Sequence, residues 1–328
     1  MPRIRSRPED FAVEEIPLYE PAGRGDTTLV QIRKRGVDTE EVARRWARCL
    51  GLDPGRIGFA GRKDRLAVCR QWLSLPGWRP EVAPSLASEG VEILAVARHD
   101  DRLRPGDLLG NRFSLRVREV AADPERVEAA LADIAARGLV NRYGTQRFGR
   151  DGSNPELGRR LLGGERVGGS RRQRRFLIAA FQAELFHACL DRREVAVGAV
   201  QDGDLLWLHG SGTVRPVADR EGDAELVATL EASPSGPVYG AKMRRARGRT
   251  GRLEDAVWAE TGLPSWDRMR VPRFLIPAGG RRPLRVPVAD LEWEIGVGEV
   301  DLRFTLPAGS YATVLVSQAF GAVEEGPA

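Results

Sequence analysis

Lysine is nearly missing from this 328-residue chain: of 51 basic residues only Lys34, Lys63 and Lys242 are lysines, and the rest are arginines. Cysteine is as scarce. Cys49, Cys69 and Cys189 are widely separated, odd in number and without a C-x-x-C pair, which argues against a disulfide framework and against a structural zinc site. His99, His187 and His209 are equally isolated and read as ordinary structural histidines, because metal sites need clustered ligands. No apolar run approaches the ~20 residues of a membrane-spanning helix. The polar, charged N-terminus lacks the apolar core of a secretory signal, so the expected location is the cytoplasm. There is no internal repeat, no G-x-x-x-x-G-K-[ST] loop and no H-E-x-x-H pair.

What remains is a globular composition, 42% hydrophobic and 30% charged, long enough to bury a core and to form two domains. A net charge of +5 and a pI near 9.5, with arginines in clusters, favour a polyanionic partner over an acidic small molecule. Arginine suits phosphate because its planar fork donates two parallel hydrogen bonds.

Residues 28–33 alternate apolar and polar like a half-buried strand. Asp38 and Thr39 then offer caps for a helix whose Val42, Trp46 and Leu50 recur every four residues until Gly51. Strands are expected at 57–60, 67–75, 91–97 and 113–120, and a helix opens at Asp123-Pro124-Glu125 and ends at Gly138. This mixture indicates an α+β domain, a sheet with helices packed on it. From Gly138 glycine and arginine rise. An apolar helix is expected from Arg175 to Leu190, preceded by Arg171, Arg172, Arg174 and Arg175, cations at a helix end where the macrodipole disfavours them unless an anion is near. Those four arginines are candidate RNA phosphate contacts; a solvated face is the plainer alternative. Strand patterns return beyond Pro283 in LEWEIGV and VDLRFTL.

The chain is organised around Phe59 to Trp72, FAGRKDRLAVCRQW. Here Asp64 sits in a charged turn, Arg62-Lys63-Asp64-Arg65, after Gly61, where the backbone can bend sharply or be approached closely. Three adjacent cations would stabilise an ionised carboxylate, suited to attack or electrostatics rather than to proton donation. A solvated hairpin tip would look the same.

This stretch resembles the G-x-K-D-x-x-A-V-x-x-Q motif of the TruD family of pseudouridine synthases. Three more stretches agree in family order: RPEDFAVEEI (7–16), NRYGTQRFGRDGSN (141–154) and LPAGSYATVLV (306–316). The resemblance implies an α+β fold in which a pseudouridine synthase-like catalytic domain, residues 1–137 and 286–328, with a mixed or antiparallel sheet and helices, is interrupted by a family-specific α+β insertion domain, residues 138–285. It implies isomerisation of uridine, at position 13 of tRNA, with Asp64 as nucleophile. It further implies that Phe11, Asn111, Phe113 and Tyr311 contact the uridine, that tRNA is the partner, and that no cofactor, metal, membrane or obligate protein partner is called for. The lysine that pairs with the family's aspartate falls by spacing on Arg5, which keeps the cation with another geometry. The family's G-x-G-x-H segment reads GRGDTT at 23–28, without the histidine.

Two other readings compete. A basic RNA-binding protein without catalysis would tolerate loss of Asp64 but depend on its arginines. A hydrolase using Asp64 with Glu14 or Glu15 is weakest, since paired acids need a defined separation across the bond and adjacent strand residues point apart.

Overall fold

The computed structural model describes residues 1–326, so the last two residues of the expected 286–328 segment lie outside it. In chain order the elements are β1 (Arg3–Ile4), β2 (Phe11–Pro17), β3 (Thr27–Lys34), α1 (Thr39–Leu50), β4 (Gly58–Phe59), β5 (Val68–Pro76), β6 (Val91–His99), β7 (Leu108–Arg118) and α2 (Pro124–Arg137). There follow β8 (Leu139–Val140), α3 (Asn154–Leu162), α4 (Arg171–Asp191), β9 (Leu205–Leu208), β10 (Val214–Pro216), α5 (Arg220–Ala228), β11 (Ala232–Val238), α6 (Gly248–Ala259), β12 (Gly280–Pro283) and β13 (Arg285–Val286). The chain closes with β14 (Ala289–Ile295), β15 (Glu299–Pro307), α7 (Ala312–Phe320) and β16 (Glu324–Glu325). They form a mixed α+β fold in two compact units, residues 1–135 with 288–326, and residues 136–287.

Unit 1 is built on one mixed sheet in the order β14-β15-β7-β2-β5-β3-β6, with β1, β4 and β16 attached at its margins. β15 pairs with β7 from Glu299 opposite Arg118 to Pro307 opposite Gly110, so the C-terminal segment completes a sheet begun by the N-terminal one. Strand alternation puts Phe11, Val13 and Glu15 on the buried face of β2 and Asn111, Phe113 and Leu115 beside them on β7. The opposite face is charged: Arg116 grips Asp301 with two hydrogen bonds of 2.7 and 2.6 Å. At the other end of the sheet, α1 buries Val42, Trp46 and Ala47 against Val30, Ile32 and Leu73. Asp38 caps α1 by accepting from the Glu41 amide, and Gly51 ends it in the left-handed region.

Two local expectations are corrected. The strand expected at 57–60 shrinks to the two residues of β4, because a 3-10 turn over Pro54–Arg56 occupies the preceding chain. The helix expected from Arg175 begins four residues earlier, at Arg171. Ser170 and Gln173 form a reciprocal capping box that draws the arginine run into the first turns. Phe176, in its second turn, is 39% exposed.

Unit 2 holds the sheet β10-β9-β11-β12, the small ladder β8–β13, and helices α3 to α6. Its core joins Leu161, Ile178, Phe181, Leu185 and Val257.

Candidate active site

Asp64 lies in the loop between β4 and β5, and its carboxylate is 45% exposed. The three neighbouring cations do not hold it. Arg62 pairs with Glu40 at 2.8 Å, Lys63 is buried against Glu15 at 2.7 Å, and Arg65 Nε donates to the Gly36 carbonyl at 3.0 Å. Each is drawn to a nearer oxygen than the Asp64 carboxylate, which corrects the picture of one acid among three cations. The cation on Asp64 is Arg5, from the far N-terminus: Nη2 donates to Asp64 Oδ2 at 2.7 Å. Among the described residues, Asp64 Oδ1 has no protein donor, so one oxygen is fixed and the other is left uncommitted in a side chain that is 45% exposed.

Arg5 is itself strongly positioned. Its side chain is 5% exposed, Nη1 donates to Glu325 on β16 at 2.5 Å, and its guanidinium carbon lies 4.2 Å over the Phe11 ring. Its φ of +58° falls in the left-handed region, a cost of roughly 1–2 kcal/mol that the two ion pairs and the ring contact offset. β1 carries it there by pairing with β7 on one side and with β16 on the other.

A buried polar network fixes the loop from below. Lys34, fully buried, donates to the Asp64 carbonyl at 2.6 Å and to the Val37 carbonyl at 2.9 Å. Burial pushes the Lys34 ammonium below the usual lysine range, while Cys69 and Asp64 oppose that shift. The Lys63 amide donates to Thr39 Oγ1, which in turn donates to Gln71 Oε1, both at 2.9 Å. Burial raises the pKa of the Glu15 carboxyl and Lys63 opposes it. Gly61 is explained here too, since a Cβ at that position would come within 3.0 Å of Lys63 Nζ.

The aromatic candidates are contiguous with this base. Phe11 and Phe113 meet edge to face with centroids 6.2 Å apart, and Phe113 stacks on Phe304 at 5.2 Å. Both are buried, and one face of Phe11 is already covered by Arg5. Asn111 stands two residues before Phe113 on the same face of β7, and its Oδ1 is buried with no partner among the described residues. Tyr311, half-buried, is the N-cap residue of α7, just past β15. Arg171, Arg172, Arg174 and Arg175 belong to unit 2, where Arg171 lies 4.4 Å over Phe274 and Arg175 Nε donates to the Phe274 carbonyl. Glu14 and Glu15 face opposite ways, Glu14 toward Arg70 and Arg112 and Glu15 toward Lys63, so neither joins Asp64 as a second acid.

Sequence reasoning missed Lys34 and Glu325. The signal for Lys34 was present: two of only three lysines in an arginine-dominated chain converge under Asp64.

With this geometry in place, comparison with known proteins is informative. The family model "tRNA pseudouridine synthase D (TruD)" matches residues 2–168 and 170–318. A tRNA pseudouridine synthase D from Anaeromyxobacter sp. (strain Fw109-5) is 38% identical over 336 residues, covering 99% of this chain and 94% of the relative. The protein of the same name from Thermus thermophilus is 38% identical over 319 residues, covering 96% and 87%. A crystal structure of a putative tRNA pseudouridine synthase D from Methanosarcina mazei superimposes with a TM-score of 0.76, covering 98% of this chain and 93% of that one; at 22% identity it speaks to the fold.

Proposed function

Since the chain belongs to the TruD family of tRNA pseudouridine synthases, we propose that it isomerises a uridine of tRNA, at position 13, to pseudouridine with Asp64 as the nucleophile. The observation that carries this reading is the Asp64 carboxylate, with Oδ2 tied to buried Arg5 and Oδ1 open. The reaction breaks N1–C1′, turns the uracil and joins C5 to C1′; the proton on C5 is lost and one is gained at N1. A carboxylate that engages the electron-poor sugar carbon keeps the two fragments together while the base turns. Arg5 holds the attacking group in one orientation and balances its charge.

To reach Asp64 the uridine leaves its stack, and extruded bases are held by apolar and aromatic surfaces with hydrogen bonds to their edges. Asn111 fits that task because its unpartnered oxygen costs ~1–3 kcal/mol unless water or a ligand donates to it. Phe113 and Tyr311 are assigned to the uridine, and Phe11 acts largely through the shelf it gives Arg5. Unit 2 is assigned as the insertion domain, with Arg171, Arg172, Arg174 and Arg175 along the start of α4 contacting RNA phosphate. No described helix is long and apolar enough to cross a membrane, and we assign the protein to the cytoplasm.

The test is to incubate the purified protein with a uridine-containing tRNA transcript and map residues that gain carbodiimide reactivity without a change in mass. One reactive position, at uridine 13, is the predicted result. Tight binding with no new reactive base would favour the non-catalytic RNA-binding reading.

A further inference from the structure

Outside the site already described, the strongest chemistry is a cleft of about 590 Å³ wholly within unit 2, between the turn at 201–204 and the basic loop at 244–247. Arg220, Arg244, Arg245 and Arg247 line it, and all four are exposed. We propose that this cleft binds consecutive phosphates of an RNA strand. The proposal rests on the tRNA reading above and adds to it a second place where the RNA is held.

The positive charge in the cleft is left unspent. Asp204, on its floor, is consumed by a buried pair with Arg193 at 2.6 and 2.9 Å and by hydrogen bonds from Thr250 Oγ1 and the Gln201 amide, both at 2.7 Å. Asp202 accepts from the Arg249 amide at the start of α6. Among the described residues, neither Arg220 nor Arg247 has a carboxylate within ion-pair distance. Arg245 reaches Asp255 only at 3.9 Å, with both side chains more than 70% exposed, a pair that solvent screens.

The backbone that presents these arginines is fixed. Gly203, with φ +81°, lies so close to the basic loop that a Cβ would fall 1.7 Å from the Arg247 carbonyl oxygen, and the Arg247 amide donates back to the Gly203 carbonyl at 3.2 Å. The Arg244 guanidinium is steadied by one bond to the Val214 carbonyl, which leaves most of its donors free. Ala246 turns inward and is buried, so its neighbours project outward. Planar forks on a fixed loop match phosphate oxygens two at a time. A cleft of this size exceeds one phosphate, which points to a strand.

The experiment uses the full chain and one tRNA transcript, with affinity measured across potassium chloride concentrations for wild type and for the triple variant Arg244→Gln, Arg245→Gln, Arg247→Gln. The variant is expected to lose affinity by on the order of tenfold and to flatten the plot of log K against log salt by about 2 to 3. Arg247→Gln alone, which spares the rest of the loop, should flatten it by about 1. Unchanged affinity and slope in both variants, with wild type forming pseudouridine, would overturn the cleft and leave the function standing. A flattened slope with no pseudouridine from wild type would support the cleft and reject the function. If tripolyphosphate raised the unfolding temperature of wild type but not of the triple variant, while tRNA slopes stayed equal, the cleft would belong to a small polyphosphate and the proposal would fall.

Discussion

Asp64 owes its orientation to residues distant in sequence, and Arg5 is the most exacting of them. Its guanidinium serves Asp64 and Glu325 at once while resting on Phe11. Arg5→Ala removes all three contacts, and a displaced catalytic group can cost about a hundredfold, so the single-turnover rate at saturating enzyme should fall by about that factor. Arg5→Lys should recover part of the loss, since one ammonium can reach Asp64 but cannot bridge to Glu325 in the same geometry. A normal saturated rate for the alanine variant, with weaker tRNA binding alone, would make Arg5 a phosphate contact instead. How legible was this residue? Spacing within a motif resembling the family's reached it, whereas the local charge pattern pointed to Arg62, Lys63 and Arg65. Sequence adjacency fails here because a loop side chain pairs with whichever oxygen the fold brings nearest, and Glu40, Glu15 and the Gly36 carbonyl were nearer.

Among the elements, α4 shows both what pattern reading reaches and where it stops. Its apolar face was readable from periodicity, but its start was displaced by the arginine run, which is made of good helix formers and is capped by the Ser170–Gln173 box. The same helix secures the loop at 141–154. His187 Nε2 accepts from the Tyr143 amide at 2.9 Å, and its ring lies 5.3 Å from that of Phe148. Burial, aided by Arg142, holds the His187 pKa down at about 4, against 6.5 for the free side chain. Between those values the unfolded chain binds a proton that the folded one refuses, so this contribution to stability is present above pH 6.5 and is lost as pH falls toward 4. Discounted for the part of the ring that solvent still screens, the loss amounts to about 1–2 kcal/mol. Urea unfolding of wild type should therefore weaken between pH 7 and pH 5 more than that of His187→Gln. Equal pH dependence in the two proteins would show that His187 is not the group responsible. None of this was visible in a lone histidine on a helix, because the Tyr143 amide that meets it is 44 residues away.

For the whole molecule, discontinuity is the organising fact: β15 and β14 return to the sheet that β2, β5 and β7 began, and β16 reaches Arg5 from the last described turn of chain. Composition registers a change of character near Gly138 and another beyond Pro283, yet hydrophobic spacing carries no information about which strands adjoin. That is why strand neighbours were out of reach while the strands themselves were not. The position of Arg5 beside Asp64 depends on this closure, with residues from near both ends of the chain meeting at one guanidinium. The central claim is that the Asp64 carboxylate performs the chemistry, and Asp64→Asn tests it most directly, because the change removes the proposed nucleophile but almost no surface. Single-turnover pseudouridine formation on a tRNA transcript should drop by at least about 10⁴-fold while tRNA affinity stays within a few fold of wild type. Residual turnover at about a tenth of the wild-type rate would contradict the assignment of Asp64 as nucleophile.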